Sequence, residues 1–419
     1  MNDGITVLRI TPYLFRPGVW PVAYDPIGGI HVQVWRITKA LQKAGISQTV
    51  LTSHIPGSRR DQEFSDTLRV ESVGISFPKF IFRTLIGGSW FFSIAKRLLK
   101  GRLNHDIVHI HYNSWLWCRL LSEIAHRLHI PVVVTLNSQL WVSRSPRWLV
   151  TGKHFNLSLW VDRWALRKCD CLVSLTEKEA TFWTNELALN PERVFVIPDT
   201  IDPEKFRVKI DNTILCKIRK RFNIPNNKKI VTYIGRLRSE KGWQDLPEIT
   251  EEVCDADAFM LICGDGPDRR KLENAMPKNR KENGWCITGF LDPDEIKAVL
   301  HITDVFVMPS RREAFGSVLL EVMAAGVPAI AYAVGGIVEV AGTPKAIRLI
   351  PPMDKFAFVQ AILELLTDPK QCEYLIEQGH RRVEDFSIKH ATEETLRCYQ
   401  SLLIPNFTKD AQMAERISG

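Results

Sequence analysis

Two glutamates separated by seven residues, Glu313 and Glu321, bracket the run Ala314-Phe315-Gly316-Ser317-Val318-Leu319-Leu320. A short apolar stretch, Val305 to Met308, precedes them, and a helix-period segment from Ser317 ends at Gly326. A strand, a tight loop and a helix opening toward that loop gather free backbone N–H groups and the positive helix end at one place, which suits an anion such as phosphate. Glu321 follows Ser317 by four residues and so shares its helix face, while Glu313 stays in the loop. A ligand lying across the turn would meet amides and both carboxylates. Read alone, the pattern also fits a capped turn carrying two solvated glutamates.

Complementary charge lies earlier, in Gly235-Arg236-Leu237-Arg238-Ser239-Glu240-Lys241-Gly242, after the apolar run Lys229 to Ile234. Arg236 and Lys241 could neutralise a departing diphosphate, an electrostatic catalysis that needs no metal; a solvated charged loop is the alternative. Gly264-Asp265-Gly266-Pro267 follows Ala258 to Cys263 and lacks the third glycine and spacing of a dinucleotide fingerprint, so it reads as a turn. Thr288-Gly289-Phe290 offers backbone groups that could read a nucleobase edge beside an apolar ring, and Gly335-Gly336 with Glu339 makes a further turn. Taken jointly, these turns point to an anionic nucleotide ligand.

In the first half, Gly28-Gly29 stands where a helix-period segment begins (Val32, Trp35, Ile37, Ala40, Leu41), at the end of the Pro/Gly-rich loop Thr11 to Gly29. The glycines serve either close approach of a ligand or a turn with positive φ. Two strand ends are polar: His109-Ile110-His111-Tyr112-Asn113 and Thr135-Leu136-Asn137-Ser138-Gln139. His111 and Asn137 are the better site candidates there, with Gln139 beside them, and the aromatic and basic segment Trp141 to Trp148 could line an acceptor pocket.

These residues need a frame that carries them to one edge. Strand signals at Ile5 to Ile10, Thr49 to Thr52, Leu68 to Val73, Asp106 to His111, Val132 to Leu136, Cys171 to Leu175 and Val194 to Ile197 alternate with helical segments. A second series runs through Lys229 to Ile234, Ala258 to Cys263, Val305 to Met308, Ala329 to Ala333 and Ile347 to Ile350. Such alternation predicts βαβ units and parallel sheets, whose ligands collect at the carboxyl ends of the strands. The polar, proline-punctuated stretch Pro198 to Asn227 reads as the connection between domains, and Phe356 to Leu403 as helical. Phe80 to Lys100 reads as a core helix, with a membrane-surface segment as the alternative because Lys96, Arg97 and Lys100 close it.

With 419 residues the chain exceeds one ordinary core and predicts two α/β domains. No run of about 18 uncharged apolar residues occurs, and the N-terminus lacks a signal-peptide pattern, so a cytoplasmic protein is expected. Nine cysteines are scattered; the close pair Cys169-Asp170-Cys171 matches neither a redox nor a zinc spacing, and no metal site is expected. Residues 1–200 hold 24 Lys and Arg against 15 Asp and Glu, a surplus of nine, while the remainder holds 31 against 32. The basic half should meet an anion, but the charges are dispersed and no nucleic-acid motif accompanies them.

The chain resembles the retaining glycosyltransferases of the GT-B fold, the group 1 class that includes glycogen and sucrose synthases and phosphatidylinositol mannosyltransferases. The resemblance spans nearly the whole chain and rests on Gly28-Gly29, Asp106 to His111, Ile197-Pro198-Asp199, Gly235-Arg236 with Lys241-Gly242, Gly264-Asp265-Gly266-Pro267, Thr288-Gly289-Phe290, Glu313 to Glu321, and Gly335-Gly336 with Glu339. It implies two Rossmann-like, doubly wound parallel-sheet domains facing across a cleft. Residues 1–200 would bind the acceptor, with the C-terminal helix 386–405 packed back on them, and residues 201–385 the nucleotide-sugar. By the same resemblance Arg236 and Lys241 bind the diphosphate, Glu321 the ribose, and Glu313 with the Phe315-Gly316 backbone the donor sugar. Gly29 would approach the phosphates from the other domain, and Gly235, Gly264, Gly289, Phe290 and Ser317 would complete the donor site.

The implied activity is that of a retaining hexosyltransferase using a nucleoside diphosphate sugar, UDP-sugar foremost, on a small hydroxylated acceptor, with no further cofactor. In such enzymes the departing phosphate helps deprotonate the acceptor hydroxyl, and no covalent nucleophile is required. The sequence departs from the pattern at Asn137, where many relatives carry a histidine on the donor sugar, at Pro198-Asp199-Thr200 and at Ile388. A narrower resemblance, in Leu8 to Gln33 (Trp20-Pro21-Val22, Asp25-Pro26-Ile27-Gly28-Gly29) and Gln48 to Pro56, is to the sugar transferases of aminoglycoside antibiotic pathways. It implies an aminocyclitol acceptor such as 2-deoxystreptamine, whose cationic groups would need Asp25 or Glu177 locally against a basic first half. Competing readings are a membrane-surface lipid or polysaccharide transferase, a same-fold enzyme for C–N coupling of cyclitols or for sugar-nucleotide epimerisation, and a non-catalytic nucleotide-sugar sensor.

Overall fold

The computed structural model describes residues 4–11, 14, 29–54, 61–75, 88–99, 105–111, 115–136, 153–280, 282 and 284–403. They divide into two units: the chain up to Asp199 with the segment from Ile388 onward, and Thr200–Ser387.

The first unit is built on β1 (Thr6–Ile10), followed by α1 (Gly29–Lys43), β2 (Ser47–His54), β3 (Asp61–Ser65), β4 (Leu68–Ile75), α2 (Gly88–Leu99), β5 (Ile107–His111), α3 (Trp115–Arg127), β6 (Val132–Thr135), α4 (Lys153–Leu166), β7 (Cys171–Ser174), α5 (Glu177–Leu187) and β8 (Val194–Val196). Its sheet runs β3-β4-β2-β1-β5-β6-β7-β8, parallel throughout except for the antiparallel β3/β4 pair. The strands alternate between two apolar layers, as a sheet covered on both faces must. Leu8, Ile10, Val108, Ile110, Val132 and Val134 pack against α2, α3 and α4, whereas Val7, Ile107, Val133, Cys171 and Val173 pack against Leu41 of α1 and the C-terminal helix, Ile388–Leu403. Ile94 and Leu98 of α2 belong to the first of these layers, so α2 is a core helix, although Phe92 and Leu99 stay exposed.

The second unit contains α6 (Glu204–Arg207), α7 (Asn212–Arg221), β9 (Ile230–Ile234), α8 (Leu246–Asp255), β10 (Phe259–Cys263), α9 (Arg269–Ala275), β11 (Trp285–Gly289), α10 (Pro293–His301), β12 (Val305–Met308), α11 (Ser317–Ala324), β13 (Ala329–Tyr332), α12 (Ile337–Ala341), β14 (Arg348–Ile350), α13 (Lys355–Thr367) and α14 (Pro369–Arg382). The sheet order is β11-β10-β9-β12-β13-β14, every pair parallel. Met260 and Ile262 of β10 face α8 and α13, while Phe259 and Leu261 face α7 and α10.

One strand stands where the sequence carried no strand signal, and one segment differs from the sequence expectation. Asp61–Ser65, polar and unpatterned, becomes a strand because β4 supplies its hydrogen-bond partners. Pro198 to Asn227 is not a bare connection: Asp211 caps α7 through the Thr213 amide, and Ile218, Phe222 and Ile224 join the core beside Ile230 and Phe259. Only one face of α7 is buried, which is why its composition reads as a solvated linker. Among the described residues no helix is long and apolar enough to cross a membrane.

Candidate functional site

In the second unit the chain leaves β9 toward β10 and β11 on one side and returns to β12 on the other. The loops after β9 and β12 therefore emerge side by side at the carboxyl edge, the usual ligand position in a doubly wound sheet. There the Glu240 carbonyl accepts the amides of Arg311 (2.9 Å) and Arg312 (3.2 Å). Lys241 Nζ donates to Glu313 Oε2 at 2.5 Å, in a pair whose lysine is 29% and whose glutamate 11% exposed. Gly242 has φ +72°, and a Cβ there would stand 1.6 Å from the Pro309 carbonyl oxygen, so only glycine lets the two loops meet. Just beyond, the buried Asp245 carboxylate accepts from Arg311 Nη2 at 3.0 Å and from the Tyr332 hydroxyl at 3.1 Å.

The neighbouring turns close the floor. Gly235 donates its amide to Cys263 (3.0 Å) and Gly264 to Gly289 (2.9 Å). Gly264 has φ +148°, and a Cβ would lie 1.9 Å from the Gly235 carbonyl oxygen. Phe290, half-buried, follows β11 directly. Gly316 occupies the N-cap of α11, which places Ser317 at its first position and Glu321 one turn on, half-exposed. Phe315 is buried edge-on against Phe386, ring centroids 5.6 Å apart, so only its backbone is available to a ligand. Arg236 is half-buried beside Tyr233, whose hydroxyl donates to the Arg236 carbonyl at 3.4 Å. Burial first, then the carboxylates of Glu313 and Glu240, push the Tyr233 phenol up, and it stays neutral. The strand order thus brings Arg236, Lys241, Glu313, Gly235, Gly264, Gly289, Phe290, Gly316, Ser317 and Glu321 to one edge of one sheet.

The first unit has its own reversal between β1 and β5, with Gly29 opening α1 and His111 ending β5. His111 is buried. Its Nε2 lies 2.8 Å from Arg9 Nη1, and since a guanidinium only donates, that nitrogen is the acceptor and the imidazole is neutral. Arg9 Nη2 donates to the Tyr399 hydroxyl of the C-terminal helix (2.9 Å), which meets His109 Nδ1 at 2.7 Å, while His109 Nε2 meets Thr135 Oγ1 at 2.6 Å. Burial, then the charge of Arg9, then His111, hold His109 well below the ordinary imidazole value. Asp25, Asn137, Gln139 and the segment Trp141 to Trp148 lie outside the described residues. Among the described residues no three His, Cys, Asp or Glu side chains are grouped to hold a metal ion.

Asp245, Arg9 and Tyr399 escape the sequence reading. Charged or hydroxylated side chains ordinarily signal solvent, and only burial reveals them as struts.

Comparison with known proteins agrees with this geometry. The profile for glycosyltransferase family 4 matches residues 27–205, and that for glycosyl transferases group 1 matches residues 216–382. The 2-deoxystreptamine glucosyltransferase of Streptomyces kanamyceticus is 31% identical over 385 residues, covering 89% of this chain and 99% of that one. The chain belongs to the group 1 glycosyltransferases. Another member of the family, the 2-deoxystreptamine N-acetyl-D-glucosaminyltransferase of Streptomyces fradiae, is 29% identical over 87% of this chain and 89% of its own. Among solved structures, the sucrose-phosphate synthase of Thermosynechococcus elongatus superposes with a TM-score of 0.76 at 21% identity, covering 95% of this chain and 99% of that one. The Anabaena HepE protein, solved in complex with UDP-glucose, superposes with a TM-score of 0.71 at 16% identity, covering 95% and 100%. The glycosyltransferase thus has the GT-B fold and relatives in aminoglycoside biosynthesis.

Proposed function

We propose that this glycosyltransferase moves a hexose from a nucleoside diphosphate sugar, UDP-sugar foremost, to a hydroxyl of an aminocyclitol, with retention of anomeric configuration. The observation that carries the reading is the pairing of Lys241 with Glu313 beside the N-terminus of α11 at the carboxyl edge of the second sheet. Arg236 and Lys241 meet the diphosphate, Glu321 the ribose, and Glu313 with the Phe315-Gly316 backbone the sugar; Gly29 is assigned to the donor phosphates, and His111, Asp25, Asn137 and Gln139 to the acceptor. The acceptor oxygen bonds to the anomeric carbon as the bond from that carbon to the phosphate oxygen breaks. The hydroxyl proton passes to the departing phosphate, and the two cations take up its charge. The names of the relatives from Streptomyces support the aminocyclitol class.

A panel of UDP-sugars with 2-deoxystreptamine, read by product mass and by the anomeric coupling constant, tests the reading. Transfer with retention that is lost in Lys241→Ala is expected; no nucleotide release with any aminocyclitol would sink the acceptor assignment. A lipid-linked acceptor is the second reading, favoured by the exposed Phe92 and Leu99 of α2 near the basic Lys96. Failure to sediment with anionic vesicles at low salt removes it.

A further inference from the structure

We infer that Asp245, acting through Arg311, is a positioning residue for the donor site, an inference that rests on reading Lys241 and Glu313 as donor-contacting groups. Asp245 is fully buried, and a carboxylate taken out of water must be compensated by close partners. Those partners are Arg311 Nη2 at 3.0 Å, the Tyr332 hydroxyl at 3.1 Å and, more distantly, Lys355 Nζ at 4.0 Å. Asp245 stands three residues after Gly242 on the loop that follows β9, and Arg311 two residues before Glu313 on the loop that follows β12.

The Asp245–Arg311 pair therefore spans the same two loops as the Lys241–Glu313 pair, from the buried side. The backbone repeats the connection, because Arg311 and Arg312 donate their amides to the Glu240 carbonyl and Gly242 packs against the Pro309 carbonyl. A ligand that draws Lys241 toward phosphate oxygens pulls against Glu313, and the deeper pair keeps the Glu313 loop from following. With its side chain only 1% exposed, Asp245 meets substrate through none of its own atoms, so its influence passes through Arg311. Neither residue stands out in the sequence, where Asp245 opens a helix and Arg311 is one of two adjacent arginines.

The test is a double-mutant cycle on the full chain, with UDP titrated by calorimetry and transfer from UDP-glucose to 2-deoxystreptamine followed by UDP release. Arg311→Met is expected to lower kcat roughly ten- to a hundredfold, the scale of a small misplacement of reacting groups, with Arg311→Lys recovering part of it. In a Glu313→Ala background the same change should cost little, because the group it positions is gone. Full additivity, or a fall in melting temperature with kcat intact, overturns the inference and leaves the donor-site reading standing. Unaltered UDP affinity and kcat in Lys241→Ala alone overturn both. Should Arg311→Met not fold, the charge-neutral combination of Asp245→Asn with Arg311→Met carries the same cycle.

Discussion

At the scale of single residues, two glutamates of the same loop and helix have different surroundings and should fail differently. Glu313 lies in the loop, held against Lys241, while Glu321 stands on α11, and both are partly buried. On the proposed ribose role, removing Glu321 takes away charge-assisted hydrogen bonds worth about 1.5–3 kcal/mol, so Glu321→Ala should weaken UDP binding about ten- to a hundredfold. Glu313→Ala should leave UDP affinity within a few-fold and lower kcat at saturating donor by about a hundredfold. Calorimetry beside initial rates checks both, and an equal loss of affinity in the two variants contradicts the division of roles.

Elements are held together here by glycines and by buried polar networks. Gly242→Ala would force a side chain into a left-handed conformation, at about 1–2 kcal/mol, and drive its Cβ into the Pro309 carbonyl. The loops after β9 and β12 must then part, so UDP affinity should fall further than the urea midpoint does. In the first unit the C-terminal helix is tied to β1 and β5 through Tyr399, whose hydroxyl accepts from Arg9 and meets His109. Tyr399→Phe leaves the buried Arg9 without that acceptor and should cost about 1–3 kcal/mol in urea unfolding. UDP binding, proposed for the second unit, should not change; a loss of binding without a loss of stability would contradict that proposal.

The whole molecule carries two separate cores, so its response to ligand and to pH should be divided as well. UDP at a hundredfold excess over its dissociation constant should stabilise the second unit by about 2.7 kcal/mol in calorimetric unfolding and leave the first unit's transition in place. Acid should act on the first unit through His109. His109 faces Arg9, His111, Tyr399 and Thr135, and is held neutral in the fold, below the ordinary 6.5. The unfolded chain then binds a proton the fold does not, so stability is full above pH 6.5 and falls as pH drops toward the depressed value, by up to about 1.4 kcal/mol per pH unit. Replacing His109 by Gln should flatten that limb between pH 6.5 and 5.5; an unchanged slope would count against His109 as its source.

Parallel strands buried on both faces must be nearly continuous apolar runs, and turns that bring backbones close must use glycine. The sheets, their carboxyl-edge turns and the Glu313-to-Glu321 stretch are therefore legible from residue order alone. Local pattern fails where burial is partial or pairing supplies the order, as in α7, whose polar sequence reads as a linker, and in β3, which carries no strand signal. It fails again for charges. Residue order puts Glu313 in the loop and Glu321 on the helix, but only strand order brings Lys241, 72 residues away, beside the first. Asp245 finds Arg311 at a separation of 66 residues, and Arg9 finds Tyr399 at 390. Periodicity and turn chemistry act over a few residues and determine which elements form; which side chains meet is decided by the order in which strands assemble, and only the tertiary structure records that.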